Sequence, residues 1–457
     1  MNISPTDTPA SVLKKVFGYD SFRPLQEEVI KNVLDKKDTL AIMPTGGGKS
    51  ICYQLPALLF EGLTVVISPL ISLMKDQVDQ LNQTGISAVM LNSSLSFNNY
   101  VDYCESIKRG EVKLLYIAPE SLFKEDICDL LEQVQVDCIT IDEAHCISEW
   151  GHDFRPEYRQ LGSYRKRFPE AACLALTATA TPRVQDDIIR SLGFTHKNRF
   201  ISSFDRSNLF LQVLQKNNPL IQTESFLQAH SGEPGIIYCA TRSQVDELTA
   251  RLKTKGYSVL PYHAGLSDRQ REKNQSRFAN DDVQIIVATI AFGMGINKSN
   301  VRFVVHYDLP KSLESYYQEI GRSGRDGAQA DCLLLFGYGD IAKINYFIDQ
   351  KINENERRVA KLLMHDMVSY AEAKVCRRIP LLHHFGEAPH EQNCGMCDNC
   401  TNEETREGLE DITIAAQKFL SCVKRTGEIF GAGHLIDVLR GSYNEKTDKF
   451  RHQNLSV

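Results

Sequence analysis

The chain has 457 residues, 42% hydrophobic and 24% charged, with a net charge of −6. At roughly 150 residues per domain this length implies more than one core, and the composition excludes a wholly disordered chain, which needs low hydrophobicity and high net charge. The charge excludes a histone-like basic coat on nucleic acid, but not an enzyme whose basic residues line one channel; no apolar run approaches the ~18 residues of a membrane span, and residues 1–13 lack the apolar core of a secretory leader.

In chain order, short apolar runs at 40–43, 63–68, 114–117, 138–141 and 173–176 alternate with amphipathic stretches. Strands alternating with helices predict an α/β fold with a parallel sheet buried on both faces, hence the continuously apolar runs. The pattern restarts after residue 200, with predicted strands at 235–239, 258–262, 284–288, 303–306 and 332–336, and helices at 243–255 and 267–280. Two α/β units are therefore expected, joined near residues 204–208. From Asp340 the pattern becomes helical through residue 370. A cysteine group follows, then a polar, acidic stretch at 400–410 that reads as a linker. Residues 412–439 predict two helices around the turn Gly431-Ala432-Gly433, and 440–457 read as a polar tail without regular structure.

Met43-Pro44-Thr45-Gly46-Gly47-Gly48-Lys49-Ser50 follows a predicted strand and opens a helix. Consecutive glycines let backbone N–H groups close around phosphate oxygens at a helix N-terminus. Thr45, Gly46, Gly47, Gly48, Lys49 and Ser50 are candidate nucleotide contacts. Lys49 would reach the β- and γ-phosphates, and the Ser50 hydroxyl would ligate Mg²⁺. The strict pattern has Gly where Met43 stands. The run Ile139-Thr140-Ile141-Asp142-Glu143-Ala144-His145 puts two carboxylates at the end of a buried strand, where open α/β sheets bind ligands. Asp142 is expected to hold Mg²⁺, and Glu143 to orient or deprotonate an attacking water. The two segments together predict an NTPase. In the second unit, Gln318-Glu319-Ile320-Gly321-Arg322-Ser323-Gly324-Arg325 carries two arginines three apart, candidates for stabilising a transferred phosphoryl group from across a cleft.

These segments resemble those of a superfamily 2 helicase, and the fuller resemblance, from Val12 to about Val438, is to the RecQ DNA helicases. The stretch 145–158, His-Cys-Ile-Ser-Glu-Trp-Gly-His-Asp-Phe-Arg-Pro-Glu-Tyr, is similar to that family's aromatic-rich loop. Trp150 and Phe154 are suited to stack on single-strand bases and Arg155 to hold phosphate. A loop that reaches both Glu143 and DNA would couple strand binding to hydrolysis. Phe17-Gly18-Tyr19 with Phe22-Arg23-Pro24-Leu25-Gln26 resembles the adenine-recognition motif. That implies base-edge contacts from Arg23 and Gln26 and stacking by Tyr19. The segments 68–77, 176–180 and 287–296 resemble strand-contact and coupling motifs. Asn297 departs from the Asp usual there. The resemblance implies two RecA-like parallel-sheet lobes, then a helical zinc-binding subdomain and a partial winged helix, divided as 1–205, 206–342, 343–405 and 406–457.

Cys376, Cys394, Cys397 and Cys400 supply four soft ligands suited to a closed structural Zn²⁺ site. Two successive Cys-x-x-Cys steps also fit an iron–sulfur cluster. The long gap and Cys376-Arg377-Arg378 resemble the RecQ zinc domain instead. His383, His384 and His390 lie inside the gap as alternative ligands, and Lys374, Arg377 and Arg378 as candidate phosphate contacts. The remaining cysteines are scattered, which fits a reducing compartment; a cytoplasmic chain is expected, nucleoid-associated if bacterial. The resemblance implies an ATP- and Mg²⁺-dependent helicase acting 3′→5′ on single-stranded and tailed or forked duplex DNA, in recombination and repair. It also implies a wing missing from the winged helix, and so weakened duplex binding. The rival expectations are an ATP-switched DNA-binding module that never unwinds, and an RNA helicase.

Overall fold

The computed structural model describes residues 7–92, 95–290, 292, 298–389, 391–402, 412–442, 444–452 and 455. The segment 291–297 is outside these, apart from Phe292, as are His390 and most of the predicted linker. The chain divides into two compact units, Met1–Thr401 and Asn402–Val457.

The first unit holds two all-parallel sheets. One contains β1 (Thr39–Ile42), β2 (Leu63–Ile67), β3 (Ala88–Leu91), β4 (Leu114–Ile117), β5 (Val136–Ile141), β6 (Ala172–Thr177) and β7 (Arg199–Ile201). Their order is β3-β4-β2-β5-β6-β1-β7. The other contains β8 (Leu209–Gln215), β9 (Gly235–Tyr238), β10 (Val259–Tyr262), β11 (Ile285–Ala288), β12 (Phe303–His306) and β13 (Ala330–Phe336), in the order β10-β11-β9-β12-β13-β8. The central strands are buried along their whole length, as helices packed on both faces require. Side-chain caps start several of these helices. Thr241 opens Arg242–Thr254, Ser267 opens Asp268–Ala279 and Ser312 opens Leu313–Ile320. Gly235 begins β9 opposite Phe303 of β12, where a Cβ would sit 2.1 Å from the phenyl ring.

Three strands lie where no strand was predicted: β3, β7 and β8. Each is an edge strand of its sheet. β8, Leu-Phe-Leu-Gln-Val-Leu-Gln, directly follows the predicted connector and has only Leu209 and Leu211 buried. Beyond β13, helices Tyr338–Asp349 and Glu354–Glu372 break at residues 350–353, inside the predicted continuous stretch. Helix Arg378–His384 then leads to the cysteine group.

In the second unit, helices Thr413–Arg425 and Ala432–Leu439 bury Cys422, Leu435 and Val438 together. Ala432 and Gly433 lie inside the second helix rather than in the turn. A short helix, Glu445–Lys449, with a capping box from Asn444, stands in the predicted unstructured tail.

Candidate functional site

The phosphate loop leaves the C-terminal end of β1, and Asp142 follows that of β5. β6 lies between them, so the two are two strands apart, roughly 10 Å. Met43 N donates to Thr177 O at 3.0 Å and Asp142 N to Ile67 O at 2.8 Å, fixing both ends to the sheet. The loop turns on Gly46 and Gly48, at φ +82° and +78°, a left-handed backbone that favours glycine. A Cβ on Gly48 would stand 2.4 Å from Gln26 Nε2. Gln26 Nε2 donates to Gly48 O at 3.0 Å, its Oε1 accepts from Arg23 N at 2.8 Å, and the Arg23 guanidinium donates to Gly46 O. Arg23 and Gln26 thus hold the loop backbone here, while Tyr19 is half exposed at the cleft rim.

Lys49 Nζ donates to Met43 O at 3.2 Å. Burial pulls its pKa down, against the opposing fields of Glu143 and Asp142. Burial and the Glu143 charge push Asp142 up. For Glu143, burial is outweighed by the hydrogen bond and charge of His145 and by Lys49, so it is held down as a carboxylate. Glu143 has a left-handed backbone, φ +49°. The Tyr158 hydroxyl donates to the preceding carbonyl, Asp142 O, at 3.2 Å. His145 Nδ1 lies 3.2 Å from Glu143 Oε2 and 2.9 Å from Thr177 Oγ1, which brings the predicted coupling segment 176–180 to the carboxylates.

The arginine segment faces this loop from the second sheet. Thr45 Oγ1 donates to Gly321 O at 2.7 Å across the cleft. The Arg325 side chain passes so close to Gly46 that a Cβ there would lie 3.3 Å from Arg325 Cγ. Burial and the neighbouring Arg322 charge lower Arg325 to about 10, so it stays cationic at neutral pH. Tyr19, Arg23, Gln26, Thr45, Gly46, Gly48, Lys49, Ser50, Asp142, Glu143, Arg322 and Arg325 line one cavity of about 610 Å³. Sequence-distant basic and acidic groups therefore meet in a space fit for a nucleotide, and the oxygen donors of Ser50 and Asp142 suit a hard divalent cation.

The aromatic-rich loop places its three candidates differently. Trp150 is partly buried against the core, with the Arg183 guanidinium over its ring. Arg155 donates to Pro69 O at 3.1 Å and pairs with Asp153 at 3.4 Å. Only Phe154 of the three lines a second cavity, of about 690 Å³, with Leu309, Ile344 and Phe347. The same loop brings His152 onto His145, their rings stacked 4.3 Å apart.

The sulfur atoms of Cys376, Cys394, Cys397 and Cys400 all lie within 4.8 Å of one another, with Cys376–Cys397 and Cys394–Cys400 at 4.0 Å. Four thiolates about 2.3 Å from a tetrahedral Zn²⁺ stand about 3.8 Å apart, so the group fits the ion. His384 is committed to Glu314 at 2.8 Å and is no ligand. Arg377 and Arg378 are each 5% exposed, which corrects the expectation of a phosphate-facing pair. Arg377 pairs with Asp398, and Arg378 with Asp205; only Lys374 of the three is exposed. Sequence reasoning passed over Arg206, a lone arginine in the connector before β8, whose guanidinium reaches Thr45 O at 3.5 Å and Gly324 O at 3.0 Å.

Four family models match the chain. They are the DEAD/DEAH box helicase at 23–188, the helicase conserved C-terminal domain at 215–327, RecQ zinc-binding at 338–401 and the RQC domain at 407–457. The ATP-dependent DNA helicase RecQ of Haemophilus influenzae is 48% identical over 98% of this chain and 72% of its own. That of Bacillus subtilis is 45% identical over 98% and 75%. Among solved structures, the DEAD-box helicase Mss116 bound to ssRNA superposes with a TM-score of 0.60 at 17% identity, over 76% of this chain and 78% of that one, a likeness of fold. With the two parallel-sheet lobes, the nucleotide cleft and the four-cysteine group in place, the chain belongs to the RecQ family of ATP-dependent DNA helicases and carries its ATP- and zinc-binding domains.

Proposed function

We propose that the chain hydrolyses ATP between its two lobes and uses the cycle to move 3′→5′ along single-stranded DNA, separating tailed or forked duplexes in recombination and repair. One observation carries this reading: phosphate loop, paired carboxylates and two arginines from the opposite lobe line a single cavity. Lys49 draws charge from the β- and γ-phosphate oxygens. Glu143 takes the proton of the water that attacks the γ-phosphorus as the bond to the β–γ bridging oxygen breaks and ADP leaves, and Arg322 and Arg325 neutralise charge on the transferred phosphoryl oxygens. Ser50 and Asp142 would hold Mg²⁺, which would supply positive charge against the phosphate oxygens. Trp150, Phe154 and Arg155 meet the single strand, with the stacked His145 and His152 linking that loop to Glu143. The boundaries 205/206, 342/343 and 405/406 divide the chain into two lobes, a zinc-binding region and a C-terminal helical region. A cytoplasmic or nucleoid location follows from the DNA substrate.

The test is strand separation on three DNAs: a 3′-tailed duplex, a 5′-tailed duplex and a blunt duplex, each with ATP and Mg²⁺. Unwinding of the 3′-tailed substrate alone is expected. Preference for the 5′ tail overturns the polarity, and DNA-stimulated hydrolysis without unwinding on any substrate overturns the helicase step in favour of a switch.

A further inference from the structure

The connector between the lobes, residues 203–209, is gripped from two sides. From the zinc region, Arg378 spends all of its donors. Its Nε donates to Asp205 Oδ1 at 2.9 Å, one terminal nitrogen to Arg206 O at 2.7 Å and Leu209 O at 3.0 Å, and the other to Met396 O at 3.1 Å and the ligand sulfur of Cys394 at 3.4 Å. Glu387 adds bonds from Ser203 Oγ and Phe204 N, both at 2.6 Å. From the cleft side, the Arg206 guanidinium reaches Thr45 O at 3.5 Å, Ser323 O at 3.2 Å and Gly324 O at 3.0 Å. No carboxylate pairs with Arg206 among the described residues. Its partners are backbone carbonyls of the phosphate loop and of the turn that carries Arg322 and Arg325. Asn208 Nδ2 holds the same turn at Gly324 O, 2.9 Å, and Ala328 O, 2.8 Å.

We propose that Arg206 is a positioning residue for ATP hydrolysis. Its planar fork sets the arginine turn in register with the phosphate loop, and the zinc region fixes the backbone from which it reaches. A surface connector has no reason to send a cation onto carbonyls of both lobes. A guanidinium that spans them restricts where Arg325 stands relative to the γ-phosphate, and misplacement by about 1 Å costs up to about 100-fold in rate. The inference rests on the role proposed above for Arg325.

The experiment compares Arg206→Ala, Arg206→Lys, Arg325→Ala and the double variant Arg206→Ala/Arg325→Ala in the full chain. Read-outs are steady-state ATP hydrolysis with single-stranded DNA, binding of a non-hydrolysable ATP analogue, zinc content and melting temperature. Arg206→Ala is expected to lower kcat about 10- to 100-fold. KM and analogue affinity should stay within about twofold, and zinc content unchanged. Arg206→Lys should not restore the rate, since one ammonium cannot replace the fork. In the Arg325→Ala background, loss of Arg206 should cost little more, because both act through one geometry. A raised KM at unchanged kcat, full recovery by lysine, or additive losses each overturn the proposal. If Arg206→Ala melts early or loses zinc, Arg206→Gln decides: a lowered kcat in a stable, zinc-loaded protein supports it, and a normal kcat overturns it. Full turnover by Arg325→Ala instead defeats the role assigned to Arg325, whatever Arg206 does.

Discussion

At the scale of single residues, the hydrolytic assignment turns on Glu143 and Arg325. Glu143 sits on a left-handed backbone beside Lys49 and His145, an arrangement that holds its carboxylate ionised. Removing that charge while keeping the shape separates chemistry from binding. Glu143→Gln is expected to lower the hydrolysis rate by about 10²–10⁴, while binding a non-hydrolysable ATP analogue as the parent does. Measured turnover near the parent value would remove Glu143 from the chemical step. Arg325 meets the phosphate loop from the other lobe and stays charged despite burial, so its loss removes a cation present only when both lobes face the nucleotide.

At the scale of elements, the zinc region carries more than its own fold. The residue 4% exposed at Cys376 and the fully buried Cys397 anchor it, and Leu211 of β8 pairs with Cys397 through a bridge and with Met396 O at 3.2 Å. Stripping the metal frees four thiolates packed together and loosens the edge of the second sheet. Chelation, or Cys397→Ser, is expected to lower the melting temperature and folded yield before it changes the hydrolysis rate of the protein that remains folded. A zinc-depleted chain with an unchanged melting curve would contradict a structural role. Elements also show where sequence is legible. The glycine loop, the paired carboxylates and the Cys-x-x-Cys steps are local patterns whose chemistry depends on neighbours in sequence, and each was readable. β3, β7 and β8 were not: β7 and β8 are edge strands with most positions only partly covered, while β3 is a four-residue apolar run, Ala-Val-Met-Leu, that was passed over. Arg377 and Arg378 read as surface cations, because only the fold brings Asp398 and Asp205 to them. Arg206 was passed over for the same reason: its carbonyl partners are contributed by segments distant in sequence.

At the scale of the whole molecule, a chain of net charge −6 that engages DNA must do so through local basic and aromatic groups rather than its overall field. Affinity for single-stranded DNA is therefore expected to fall steeply with salt, with a log–log slope of about −0.7 per phosphate neutralised. A titration at several salt concentrations measures it, and a flat dependence would mean that stacking alone holds the strand. The two lobes belong to one compact unit and share one nucleotide cavity. The proposed cycle depends on hydrolysis at that shared cavity. The most direct measurement is steady-state ATP hydrolysis by the parent chain and Arg325→Ala, with and without single-stranded DNA, beside equilibrium binding of a non-hydrolysable ATP analogue. DNA-stimulated hydrolysis in the parent, lost by about 10³-fold or more in the variant at unchanged analogue affinity, is the predicted result. Undiminished, DNA-stimulated hydrolysis by Arg325→Ala would contradict a site completed by the second lobe.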